Sequence, residues 1–248
     1  MTLMTKLWPF KAVIISLSMV LFHAPLMAAE ETVVVELFSS QSCPACPPAN
    51  DLLNDIADKD DVFVLSWQVD YWDYMGWKDT FAKPDNTERQ EAYNQALGKR
   101  GVMTPEFVIH GQRHTFGSHP DKVAALVNRV SQDVQNITVT IQEQGEDIII
   151  DIAASKPLQD HRALEINLIP LLPSIDLEIG AGDNEGRWVR YRNVVLDCLL
   201  LGEYDGKAKR IIVPKEDFMA QQVGAVAVIL QHKTLGPIQG VGHLGFDD

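Results

Sequence analysis

Up to Val130, hydrophobic residues fall in short runs or at helical spacing, and from Ile137 onward they alternate with polar ones. Val33-Val34-Val35-Glu36-Leu37-Phe38 is a nearly continuous, β-branched run, which predicts a strand buried on both faces. Leu52, Leu53, Ile56 and Ala57 then recur at helical spacing until Asp60-Asp61 closes the pattern. Val62 to Leu65, with Trp67 and Val69, predicts a second buried strand, and hence a β-α-β unit with a right-handed crossover. The stretch Tyr71 to Gly98 opens with aromatic residues and turns to helix-favouring ones from Asn86 to Leu97, reading as an inserted helical cap. Phe107-Val108-Ile109 predicts a strand, and Val123, Leu126, Val127 and Val130 give the apolar face of a further helix.

The second half reads differently. Ile137, Val139 and Ile141, then Ile148, Ile150 and Ile152, then Leu164, Ile166 and Leu168 each repeat with period two, and no helical stretch separates them. Val194 to Leu201, Ile211 to Val213 and Ala225 to Gln231 continue the pattern between glycine turns, which predicts an antiparallel sandwich. The expected division is an α/β unit over residues 30–134 and an all-β sandwich over residues 135–248.

The first residues change the picture of where the protein works. Lys6 and Lys11, the apolar stretch Ala12 to Phe22 and the small residues Ala28-Ala29 have the layout of a secretory signal peptide over residues 1–29. The apolar run of about 11 residues is short against the ~20 that span a bilayer. A periplasmic or secreted protein is expected, without a stable membrane span after cleavage. The net charge of −13 excludes an extended phosphate-binding surface, so nucleic acid is not an expected partner.

Three cysteines are too few for a disulfide scaffold, so in an exported chain the close pair Cys43-Pro44-Ala45-Cys46 suits redox chemistry or a local staple. The pair sits where a strand meets a helix, where backbone amides and the helix dipole stabilise a thiolate. Pro44, Pro47 and Pro48 oppose that, because each lacks a donor and each turns its predecessor from helical geometry. The regular helix is therefore expected from Pro48. Cys43 is expected to be the more exposed sulfur, the one that attacks, with Cys46 resolving the mixed disulfide. A zinc site would need His110, His114 or His119, whose spacing is irregular.

Other residues have competing readings. Trp67, Tyr71, Trp72, Tyr74, Trp77 and Phe81 form a dense cluster that either packs the insertion or lines a groove, with Trp72 and Trp77 the candidate partner contacts. Asp70 is a candidate proton acceptor behind the resolving cysteine. Cys198, among Val194 to Leu201, is expected as a small buried apolar residue.

The first strand, the cysteine loop and the Thr104-Pro105 step before Phe107 to Ile109 together resemble the thioredoxin superfamily. The wider chain, including residues 182–187 and Asn193-Val194-Val195, resembles a family of secreted bacterial thioredoxin-like proteins of unknown function. The resemblance implies a thioredoxin-like N-terminal domain, a cis Pro105, and Thr104 contacting the backbone of a partner. It also implies an exported thiol-disulfide oxidoreductase acting without a cofactor on cysteine-containing proteins or peptides. The competing class is a binding module for copper or a peptide.

Overall fold

The computed structural model describes residues 32–130, 137–158, 164–219 and 222–246. The expected leader over residues 1–29 and the expected boundary at 134/135 lie outside them. The first part of the chain runs β1 (Val33–Ser39), α1 (Pro47–Ala57), β2 (Val62–Gln68), α2 (Pro84–Ala96), β3 (Glu106–Ile109), β4 (Arg113–Phe116) and α3 (Pro120–Val130). It continues as β5 (Ile137–Gln144), β6 (Asp147–Ala154), β7 (Leu164–Glu178), β8 (Trp188–Val195), β9 (Leu199–Tyr204), β10 (Lys209–Pro214), β11 (Ala225–His232) and β12 (Ile238–Gly245).

Alternation along β1 assigns its side chains to two layers. Val33, Val35 and Leu37 meet Leu52, Leu53 and Ile56 of α1 and Val123 and Val127 of α3. Val34 and Phe38 face the other way, into a cluster with Trp67, Tyr93 of α2, and Ile169 and Leu171 of β7. Glu36 lies on that second face, fully buried, and its charge is met by Arg89 of α2. The period-two strands of the second half also divide by face. Leu164, Ile166 and Leu168 of β7 pack with Ile148, Ile150 and Ile152 of β6 between two sheets. Gly242 of β12 permits that close packing, since a Cβ there would lie 2.6 Å from the carbonyl oxygen of Val139.

The expected fold class, an α/β thioredoxin-like domain with a helical insertion followed by an all-β sandwich, does not describe this molecule. The described residues are mostly β with three helices, and one mixed nine-stranded sheet runs β12-β11-β7-β8-β2-β1-β3-β4, with β9 also paired to β7. A three-stranded sheet, β10-β6-β5, packs on it. β1 and β2 are parallel, but the strand Phe107 to Ile109 runs antiparallel to β1. The fifteen-residue β7 joins the halves, pairing with β11 along Leu164–Leu171 and with β8 along Leu171–Glu178. β8 then adds to β2, Ser66 opposite Val194. The reason is local. Every residue of β2 is buried, so its free edge needs a strand beside it. Asn193, in the left-handed region at φ 44°, turns its side-chain amide onto the Val64 carbonyl at 3.0 Å and stitches that seam. The expected insertion contains one helix, α2, preceded by turns and irregular chain over residues 71–83.

Candidate functional site

β1 ends at Ser39 and feeds a tight segment in which Cys43 N–H donates to Ser40 O and Cys46 N–H donates to Cys43 O. Cys43 and Cys46 are joined as a disulfide, with Cα atoms 5.4 Å apart. The helix begins at Pro47, one residue before the expected start, because Cys46 itself takes helical angles (φ −83°, ψ −32°) as its N-cap. That start removes donors. Pro47 and Pro48 fill the first two helical positions without N–H groups, and the Ala49 and Asn50 amides both turn onto Cys46 O. The helix end thus offers little to a thiolate at Cys43.

Two other segments clasp this one. From residues 71–83, Asp79 accepts the Gln41 main-chain N–H at 2.7 Å and the Phe81 N–H at 2.8 Å. Trp77 donates its indole N–H to Gln41 Oε1 at 2.8 Å, and Ser42 Oγ donates to Trp77 O. From the β7–β8 turn, Asn184 Nδ2 donates to both Gln41 O (2.9 Å) and Cys43 O (2.8 Å). Trp77 is also the seat of that turn, for a Cβ on Gly180 would lie 2.8 Å from its ring. The outcome departs from expectation, since Cys43 is 1% exposed and Cys46 0%, while Pro44, Ala45 and Pro48 are at the surface.

Thr104-Pro105 is a cis peptide. The β1–β3 register, with Phe38 opposite Glu106, puts it at the end of β1 from which the cysteine segment leaves. Thr104 is buried and its hydroxyl accepts the Trp72 indole N–H at 2.7 Å. Trp72 and Trp77 are therefore half-buried members of the clasp. Trp67 is a core residue stacked on Phe38, and Tyr74 is 79% exposed.

Asp70 holds the Thr87 hydroxyl at 2.7 Å and takes no part in the clasp. The carboxylate on the cysteine segment is Asp79, which carried no distinguishing signal among the chain's many acidic residues. Burial pushes its pKa up to about 6, against the backbone donors of Gln41, Phe81 and Ala82 that favour the charged form. Gln41 and Asn184 were likewise missed, although residues 182–187 were among those that carried the family resemblance. Cys198 is exposed, contrary to expectation, because β8 has ended at Val195 and the chain is crossing to β9. Among the described residues no group of three or more metal-binding side chains converges.

These features define a mixed-sheet protein with a buried disulfide between cysteines two residues apart, at a strand-to-helix junction. The chain belongs to the family described as "protein of unknown function (DUF1223)", whose family model matches residues 34–231. It is similar to a crystallographically solved protein of Agrobacterium tumefaciens at 29% identity, covering 89% of this chain and 97% of that one, with a TM-score of 0.77. It shares its fold with HBP35 of Porphyromonas gingivalis at 16% identity, over 88% of this chain and 76% of that one (TM-score 0.64). Similarity to a thioredoxin of Malassezia sympodialis, at 25% identity, is confined to 41% of this chain and 76% of that one; its TM-score of 0.26 is too low to carry the resemblance. No curated protein matches the chain.

Proposed function

We propose that the protein is an exported thiol-disulfide oxidoreductase that exchanges with cysteine-bearing proteins or peptides through Cys43 and Cys46. The observation that carries this reading is the closed disulfide between neighbouring cysteines at the mouth of a helix. In the oxidised protein a partner thiolate attacks Cys43 sulfur, forming a mixed disulfide and releasing the Cys46 thiolate. A second partner thiolate then attacks the partner sulfur of that mixed disulfide, closing a partner disulfide and releasing the Cys43 thiolate, so the protein is reduced as the partner is oxidised. The reduced protein runs these steps in reverse on a partner disulfide: Cys43 attacks and expels one partner thiolate, and Cys46 then attacks the Cys43 sulfur, closing the Cys43–Cys46 disulfide and expelling the second. Burial of both sulfurs favours a second reading, a local structural staple.

The redox equilibrium separates the two. With few donors facing the Cys43 thiolate, the reduced form gains little, and the midpoint is expected near the reducing end of the catalytic range, about −270 mV. The measurement is equilibration in thiol-disulfide mixtures, quantified by alkylation and mass spectrometry, with Cys198 as the thiol that labels throughout. A pair that stays oxidised below about −300 mV is a staple, and the oxidoreductase reading fails.

A further inference from the structure

The turn between β7 and β8 is built as a separate piece. Ile179 and Arg187 close its base through the Arg187 O and Ile179 N pair (2.9 Å), Gly186 N–H returns to Ile179 O (2.8 Å), and Glu185 N–H to Gly182 O (3.1 Å). Its backbone bonds are internal, and Gly182 and Gly186 supply the positive φ angles (79° and 76°) that let it close on itself. Among the described hydrogen bonds, its ties to the cysteine segment are the two that Asn184 makes with Gln41 O and Cys43 O. Asn184 is 1% exposed, and its Oδ1 is buried without a partner.

An amide oxygen left unpaired in the interior costs free energy, so Asn184 is held there by its two donor bonds and by the seating of Gly180 on Trp77. A thiolate must reach a sulfur to exchange, and neither sulfur is open. We propose that residues 180–187 are a cover over the Cys43–Cys46 disulfide, and that Asn184 is its latch. The side-chain amide of Asn184 takes the carbonyls of Gln41 and Cys43, which an extended partner backbone would meet with its own N–H groups. The turn swings away as a unit, because nothing within it has to break. The identity of the partner rests on the oxidoreductase reading; the cover does not.

The test is the rate at which the full-length native protein is reduced by dithiothreitol and by a phosphine. Native wild type is expected to react on the order of a hundredfold more slowly than the same protein unfolded in denaturant, since opening must precede attack. Asn184→Ala is expected to react about tenfold or more faster than wild type, each lost hydrogen bond being worth roughly a factor of five. Asn54→Ala serves as the control, because it removes a 3.1 Å bond from α1 to Arg190 O without touching the turn, and its rate stays at wild type.

Wild-type rates in Asn184→Ala overturn the cover. So does native wild type reacting as fast as unfolded protein, a comparison that needs no variant. Acceleration with a midpoint below about −300 mV leaves a covered staple and removes the oxidoreductase. A midpoint in the catalytic range without acceleration keeps the oxidoreductase and removes the cover.

Discussion

Arg89→Ala is expected to lower the unfolding free energy by about 3–5 kcal/mol, the range for breaking one side of a buried ion pair. Glu36 sits in the middle of β1 with its side chain fully buried, and Arg89 meets it through Nε at 2.8 Å and Nη2 at 3.1 Å. Nη2 also donates to Tyr93 Oη (3.0 Å) and Gln231 Oε1 (3.2 Å), and Tyr93 in turn donates to Glu36. The guanidinium lies 4.7 Å from the Trp67 ring centre and 4.9 Å from that of Tyr93. Burial works against its charge, and the Glu36 carboxylate more than offsets that, holding the Arg89 pKa above its ordinary value. Removing Arg89 strands a carboxylate that the core cannot solvate. Urea melts at neutral pH measure the loss as a shift in midpoint at constant slope. The double variant Glu36→Leu with Arg89→Met is expected to recover at least half of it, because the charge no longer needs a partner. A loss in Arg89→Ala below about 1 kcal/mol would mean that Glu36 reaches water once Arg89 is gone.

That network also shows what a sequence pattern can and cannot specify. The run around Glu36 was legible as a buried strand, and alternation in Ile137 to Ile152 and Leu164 to Leu168 placed strands that β5, β6 and β7 occupy. Periodicity assigns a residue to a face and is silent on which strand lies alongside. The parallel β2–β8 seam and the division of β7 between two neighbours are choices of partner, made over long sequence separations, so the single mixed sheet was not legible. Glu36 read as one polar interruption in an apolar run, and its counter-ion lay in a segment marked only by helix propensity.

The candidate site was legible to the same depth. The cysteine spacing predicted a closable pair, and Thr104-Pro105 falls at the matching end of β1. Its surroundings were not predicted. Asn184 approaches Cys43 across 141 residues of sequence. Trp77 and Asp79 come from irregular chain, in which spacing fixes no direction. The proline-crowded helix start showed the opposite error. Steric rules disfavour helical angles at Cys46, yet its N–H finds Cys43 O and its carbonyl takes two amides, which secures it as the N-cap.

The pH dependence of stability is expected to carry the signature of Asp79. Its carboxyl is 2% exposed and bound to the amides of Gln41 and Phe81. Burial is the largest influence on it; nearby Asp73 also raises its pKa, and Tyr191, itself pushed up first by burial, lies within range of its charge. A pKa raised from 3.8 to about 6 means the folded protein binds the proton more tightly than the unfolded chain does. The stability this contributes is complete below about pH 4 and is lost as pH rises through about 6, for a difference near 3 kcal/mol at 1.4 per unit. Asp79→Asn carries no such charge, so its melts at pH 4.5 and 7.5 should differ by less than those of wild type, by about 2 kcal/mol. Equal slopes in both proteins would show that the Asp79 carboxylate is not desolvated. Ionisation strengthens the bonds that Asp79 accepts from the Gln41 and Phe81 amides, so the stability lost is the cost of holding a desolvated charge and not a loosening of that grip. The fall in stability should therefore be steepest at about pH 5, between the unfolded value of 3.8 and the folded value of about 6, and should flatten above about 7.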